Sequence, residues 1–185
     1  MKTIIVGVPG VGKTTVLEKA KKKLPNYETI KFGTKMLETA KKQRIAENRD
    51  QIRKLSPEKI KELQRKTMKK IKQKENLLVD THLAVETPKG IVPGMPKWAI
   101  EKTNLDRIIL IEGKPEEIKK RRKKDKTRKR DDFQLPPKQH QEINRYYAAT
   151  VSTITSSPIQ IIKNKPNKAE EAAEKLVKTI KNNEK

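Results

Sequence analysis

The chain has 185 residues and a formal net charge of +23, from 46 basic and 23 acidic side chains, with 32% hydrophobic and only 3% aromatic residues. One domain with a modest core and a heavily charged surface fits that length and composition. Without a cysteine there is neither a disulfide nor a thiolate metal site, no apolar run approaches the about 20 residues of a membrane span, and few aromatic platforms remain for single-stranded nucleic acid to stack on.

Thr3 to Val6 is a β-branched run ended by Gly7 and reads as a buried parallel strand. From Lys13 a helical period places Val16, Leu17, Ala20 and Leu24 on one face, and Pro25 stops it. Glu28 to Phe32 is a second strand, and Gly33-Thr34 opens a helix carrying Met36, Leu37 and Ala40. After a polar stretch, Ser56-Pro57 starts another helix, with Ser as cap and Pro at the first helical position. Leu77 to Val79 is a third strand, ending at Asp80-Thr81-His82. Thr87 to Pro96 holds three prolines and two glycines and predicts a loop, and Trp98 begins a short helix. Arg107 to Glu112 is the fourth strand, Pro115 starts a very basic helix, and Asp125 to Pro137 has no period and reads as a mobile loop. His140 to Ile154 predicts a helix with Ile143, Tyr146, Tyr147, Val151 and Ile154 on its apolar face. Ile159 to Ile162 is the fifth strand, and Asn167 is the expected cap of a last helix bearing Ala169, Ala172, Leu176 and Ile180. Strands alternating with helices predict an α/β fold: a five-stranded parallel sheet with helices on both faces.

Gly7-Val8-Pro9-Gly10-Val11-Gly12-Lys13-Thr14 matches the pattern GxxxxGK[ST] in full, between a predicted strand and a predicted helix. Glycines let the main chain curl so that several N–H groups face one phosphate, and the helix dipole adds partial positive charge. The loop through Thr15 is the candidate ATP site of a P-loop NTPase; Lys13 reaches the β and γ oxygens, and the Thr14 hydroxyl is placed to ligate Mg²⁺. The loop is silent about the phosphate acceptor.

Three other constellations stay open between readings. Asp80, at the carboxyl end of an apolar strand, is either a Mg²⁺ partner of the loop, directly or through water, or an ordinary cap. Arg49 and Arg53, four apart, would share a helix face and converge on one phosphate, or they mark a solvated turn. Lys119 to Arg130 carries ten basic residues and one acidic residue; it suits a lid that closes over nucleotides, an RNA-binding patch or a solvated run. The overall charge attracts polyanions in general and also suits a thermophile surface. His82 and His140 have no second His or Cys at ligand spacing, so no zinc site is expected. Met1-Lys2-Thr3 leads straight into a strand, leaving no room for a signal peptide, so a cytoplasmic protein is expected.

Along nearly its whole length the sequence resembles the archaeal adenylate kinase family. The likeness rests on GVPGVGKTT at Gly7 to Thr15, FGT at Phe32 to Thr34, RDQIRKL at Arg49 to Leu55, VDTH at Val79 to His82, TPKGIVPGMP at Thr87 to Pro96, TRKRD at Thr127 to Asp131 and HQEINR at His140 to Arg145. The resemblance implies transfer of the γ-phosphoryl group of ATP to AMP, giving two ADP, with Mg²⁺, in a cytosolic homotrimer. It implies an AMP-side helical region over 34–74 and a lid over 125–137 within one domain. It also implies AMP contacts from Thr34, Arg53, the weaker candidate Arg49, and Arg145, with Arg128 and Arg130 acting with Lys13 on the transferring phosphoryl group. The lid is more lysine-rich than the family pattern, which leaves open either a charged thermophile surface or an RNA-related role, the alternative function being an adenylate-kinase-like P-loop ATPase that binds RNA in ribosome assembly.

Overall fold

The computed structural model describes residues 1–71, 75–87, 90–101, 103–124 and 135–182, and only the backbone of 50, 53, 70 and 71. Strand β1 (Lys2–Val6) runs through the middle of a five-stranded sheet. β3 (Leu77–Thr81) and β6 (Arg107–Glu112) flank it, and β2 (Glu28–Lys31) and β7 (Ile159–Lys163) form the edges. Every pairing in this sheet is parallel, with Ile4 opposite Val79 on one side and Ile108 on the other.

The uninterrupted apolar runs follow from burial on both faces. Ile5, Leu78, Ile109 and Ile111 point to the side covered by α1 (Lys13–Lys21) and α8 (Ala169–Lys181). Ile4, Val6, Leu77, Val79, Ile108 and Leu110 point the other way. There they meet α2 (Phe32–Lys42), α4 (Pro57–Ile71), α5 (Lys97–Glu101) and α7 (Pro137–Thr155). Each such side chain contributes about 1.5–3 kcal/mol by leaving water. The five predicted strands, the parallel sheet and the helices on both faces are all present.

α2, α4 and the short α3 (Arg49–Arg53) enclose a separate small core of Ala40, Ala46, Ile52 and Leu63. This is the described part of the 34–74 region. The basic helix α6 (Pro115–Lys124) starts at Pro115 as expected and packs through Ile118. The segment 125–134, most of the expected lid, lies outside the described residues. The last residue of the expected lid, Pro137, is already the first of α7.

Three expectations are corrected. The segment read as loop over 87–96 is half of a hairpin: β4 (Ala84–Thr87) pairs antiparallel with β5 (Gly90–Pro93). Its proline and glycine sit at strand ends, Pro93 last and Gly90 first at φ +113, where neither interrupts the ladder. α7 buries His140, Gln141, Asn144, Ala148 and Val151, while Tyr146 is 66% exposed and Ile154 is 37% exposed. That helix packs on polar loop ends: Gln141 Oε1 accepts from Gly113 N at 2.9 Å and its Nε2 donates to Gly113 O at 3.1 Å. Asn167 is not a cap; it turns the chain at φ +57, and Lys168 holds the cap position of α8 without a side-chain bond. Among the described residues no helix is long and apolar enough to cross a membrane.

Candidate active site

From β1 the chain goes on to β2 at one edge of the sheet and from β6 to β7 at the other, and this divergence opens a crevice beyond the carboxyl ends of β1 and β6. The glycine loop after β1 occupies it. Gly10 and Gly12 take φ of +84° and +87°, left-handed values that only glycine adopts without strain. Gly12 caps α1, so the first-turn N–H groups of that helix open toward the same space. A Cβ at Gly7 would lie 2.9 Å from Ile111 O, so the loop starts where two strands nearly touch.

The loop forms one wall of a cleft of about 580 Å³. Val8, Pro9, Gly10, Gly12, Lys13 and Thr14 line it, together with Asp80, Gly33, Thr34 and Arg49. Of the residues singled out from the sequence, the structure therefore gathers Lys13, Thr14, Asp80, Thr34 and Arg49 around one space. The Arg53 side chain, Arg128 and Arg130 lie outside the described residues.

Lys13 is buried, and its ammonium donates to Thr81 O and pairs with the Asp80 carboxylate. Burial pushes its proton affinity down; Asp80 opposes that as counter-charge and acceptor, and Arg49 is close enough to add to the lowering. Arg49 is held by α3, whose cap Asn48 accepts from Gln51 N at 2.9 Å. Its Nη2 donates to Thr34 Oγ1 at 2.8 Å, and its guanidinium lies so near Gly33 that a Cβ there would be 3.6 Å from Cζ. Two expected AMP-side residues are thus bonded to each other.

Arg145 stands apart from the cleft lining. It grips Glu112, at the end of β6, through Nε at 2.5 Å and Nη2 at 2.7 Å, and Lys163 reaches the same carboxylate at 2.5 Å. Burial alone would raise the Glu112 carboxyl, but the two cations outweigh it and hold it below the ordinary glutamate range.

His82 is a site residue whose role the sequence reading missed. Its Nδ1 lies 2.6 Å from Gly7 O, and since a carbonyl only accepts, that nitrogen carries the proton. The signal was present: His82 follows Asp80 by two, and alternate residues of an extended segment share a side. Arg121, part of the basic run Lys119 to Arg130 but not singled out within it, also lines the cleft.

A divalent ion would find the Thr14 hydroxyl and the Asp80 carboxylate on the cleft wall. Among the described residues there is no group of three or more His, Cys, Asp or Glu that could form an all-protein cage. Two hard oxygen donors beside a phosphate site suit Mg²⁺, which keeps several waters and takes the rest of its ligands from phosphates.

Sheet order, loop and cleft together define the class: a P-loop protein built to transfer phosphoryl groups. The family model described as AAA domain matches residues 6–135. The adenylate kinase of Thermoplasma volcanium is 43% identical over 182 residues, 98% of this chain and 100% of that one. The adenylate kinase of Methanocaldococcus jannaschii is 44% identical over 187 residues, 96% of this chain and 97% of the other. The chain belongs to the adenylate kinase family. Among solved structures, a shikimate kinase from Acinetobacter baumannii in complex with shikimate matches with a TM-score of 0.65 at 15% identity, covering 98% of this chain and 93% of that one, a likeness of fold alone.

Proposed function

We propose that the chain is an adenylate kinase carrying out reversible, Mg²⁺-dependent transfer of the γ-phosphoryl group of ATP to AMP, giving two ADP. The observation that carries this reading is that the phosphate loop and the Thr34–Arg49 pair line one and the same cleft. Donor and acceptor phosphates held there would be close enough to react.

In this reading residues 7–15 bind ATP. The loop amides and Lys13 take the β and γ oxygens, and Lys13 exchanges part of its bond to Asp80 for phosphate. Thr14 and Asp80, the latter through water, would hold Mg²⁺, which would supply positive charge for the phosphate oxygens. Thr34, Arg49 and Arg53 hold AMP, and Arg145, with two nitrogens on Glu112, offers Nη1 to a phosphate. Arg128 and Arg130 close on the migrating group from 125–137. An oxygen of the AMP phosphate bonds to Pγ while the bond from Pγ to the bridging oxygen breaks, and the electron pair leaves with ADP. That nucleophile is already anionic, so no general base is required. Charge neutralisation and exclusion of water do the work, with 34–74 closing over the acceptor. A cytoplasmic homotrimer completes the proposal.

The test is ADP formation from protein, Mg²⁺ and ATP with and without AMP. Formation strictly dependent on AMP, with two ADP per AMP consumed, is expected. A rate indifferent to AMP and raised by RNA would refute the assignment.

A further inference from the structure

Two carbonyls of the phosphate loop, Pro9 O and Val11 O, are held by side chains from outside the loop. Pro9 O accepts from Arg122 Nε at 2.8 Å. Val11 O accepts from Arg121 Nη1 at 3.0 Å and from Asn164 Nδ2 at 2.8 Å. In a trans peptide the C=O and the following N–H point in opposite directions, and no described peptide is cis. Drawing Pro9 O toward Arg122 therefore turns the Gly10 N–H the other way, and drawing Val11 O toward Arg121 and Asn164 does the same for Gly12. Both glycines line the cleft. A cationic donor on a carbonyl also polarises its peptide, making the N–H a stronger donor.

The clasp fits closely. A Cβ at Gly10 would meet Arg122 Cγ at 2.9 Å, and one at Gly12 would meet Asn164 Nδ2 at 2.5 Å. Arg122 is fixed at its far end, where Nη1 donates to Leu135 O at 2.9 Å and Nη2 lies 3.4 Å from His140 Nδ1. Asn164 is buried just past β7, and its own N donates to Glu112 O at 2.7 Å. Among the described residues its Oδ1 has no hydrogen-bond partner. A buried amide that leaves its acceptor unmade while its donor sits on the loop is placed for the loop, since that unmade bond lowers stability.

We propose that Arg121, Arg122 and Asn164 are positioning residues that aim the amides of Gly10 and Gly12 at nucleotide phosphates. The proposal rests on the reading of residues 7–15 as the ATP site. Arg122 and Asn164 are not part of the cleft lining and act through main-chain carbonyls; Arg121 holds Val11 O while also lining the cleft.

The test uses the ¹⁵N-labelled full chain. Amide resonances of Gly10 and Gly12 are followed during titration with Mg²⁺ and the β,γ-imido analogue of ATP. Steady-state rates are measured with ATP and AMP varied separately. Asn164→Asp sets a carboxylate oxygen against Val11 O where an N–H had donated, at almost the same size. It is expected to lose most of the Gly12 response and roughly tenfold in kcat/KM for ATP, about one hydrogen bond's worth, with KM for AMP unchanged. Asn164→Ala is expected to lose less, because Arg121 still holds Val11 O; it also serves where the Asp variant does not fold. Arg122→Lys, which keeps a cationic donor for Pro9 O, is expected to retain more of the Gly10 response than Arg122→Ala. Variant amides that respond as in the wild type, or KM values that rise equally for both substrates, overturn the clasp. Wild-type Gly10 and Gly12 amides that ignore the analogue overturn the ATP-site reading, and the proposal with it.

Discussion

Replacing Lys13 by methionine should lower stability as well as activity. The Lys13 side chain is 6% exposed and its partner Asp80 10%, so neither charge is well hydrated. Removing the ammonium leaves the carboxylate without its counter-charge, and breaking a buried pair from one side costs about 3–5 kcal/mol. In a chain of this length each kcal/mol moves the melting temperature about 2–4 °C, so a fall of roughly 6–20 °C is expected. Asp80→Ala should behave alike, since it strands the ammonium. The double variant Lys13→Met/Asp80→Ala holds neither charge and should melt well above the sum of the single losses. Phosphoryl transfer should stay depressed in all three, by about 10²–10³-fold for the loss of one preorganised donor. Circular dichroism melts of the four proteins, with an ADP-coupled assay on each, make the measurement. Strictly additive melting shifts would show that the pair is not coupled, and a wild-type rate in Lys13→Met would remove the lysine from the mechanism.

Arg49→Ala should raise KM for AMP roughly tenfold to a hundredfold, the worth of a charged hydrogen bond, with KM for ATP little changed; equal effects on both substrates would contradict an acceptor-side role. Gly94→Ala should destabilise the fold by more than about 3 kcal/mol, because its Cβ would fall 1.8 Å from the main-chain oxygen of His82; an unshifted melt would rule out that close approach. His140 gives a pH test. Its Nε2 faces Ala84 O, which only accepts, and its Nδ1 faces Arg122, which only donates, so the ring is neutral with the proton on Nε2. Burial pushes its pKa below the ordinary 6.5, the Ala84 carbonyl and Glu86 favour the charged form, and Arg122 opposes it. The unfolded chain then binds a proton in a range where the folded one does not. Stability from this site is full above about pH 6.5 and falls as pH drops through that value. Urea unfolding at several pH values should show a steeper acid loss in the wild type than in His140→Gln; parallel curves would remove His140 as the cause.

The three central strands were legible because they are buried on both faces and therefore appear as continuous, largely apolar runs: Thr3 to Val6, Leu77 to Val79, Arg107 to Glu112. The loop was legible because its geometry needs glycine at two left-handed positions, followed by lysine and threonine. What stayed hidden had no local signal. Polar atoms hold the buried stripe of α7, so a search for apolar periodicity picked out Tyr146 and Ile154, which face solvent. Pro93 and Gly94 suggested a break in the chain, whereas Gly94 N donates to Leu83 O at 2.8 Å and closes the open end of the hairpin. Asn164 lies 153 residues from its partner Val11, and nothing around it in the sequence announces a contact with the phosphate loop.

The charge of +23 is a weaker guide to the ligand than the few groups at the sheet's carboxyl edge. Two acids stand there. Asp80 is matched by Lys13, and Glu112 by both Arg145 and Lys163, so two carboxylates face three cations. Because Glu112 is held below its usual range, it stays ionised at neutral pH without presenting a bare negative charge to an incoming phosphate. Arg49 and Arg121 on the cleft wall add further positive charge. Much of the remaining surplus is exposed lysine, some of it paired on the surface, as in Lys19 and Lys23 with Glu170. Salt screens such groups beyond about 8 Å at physiological ionic strength. They can speed the approach of a nucleotide, but the grip on its phosphates falls to the groups within the cleft. A polyphosphate therefore accounts for the arrangement of charge at this edge without a nucleic acid partner.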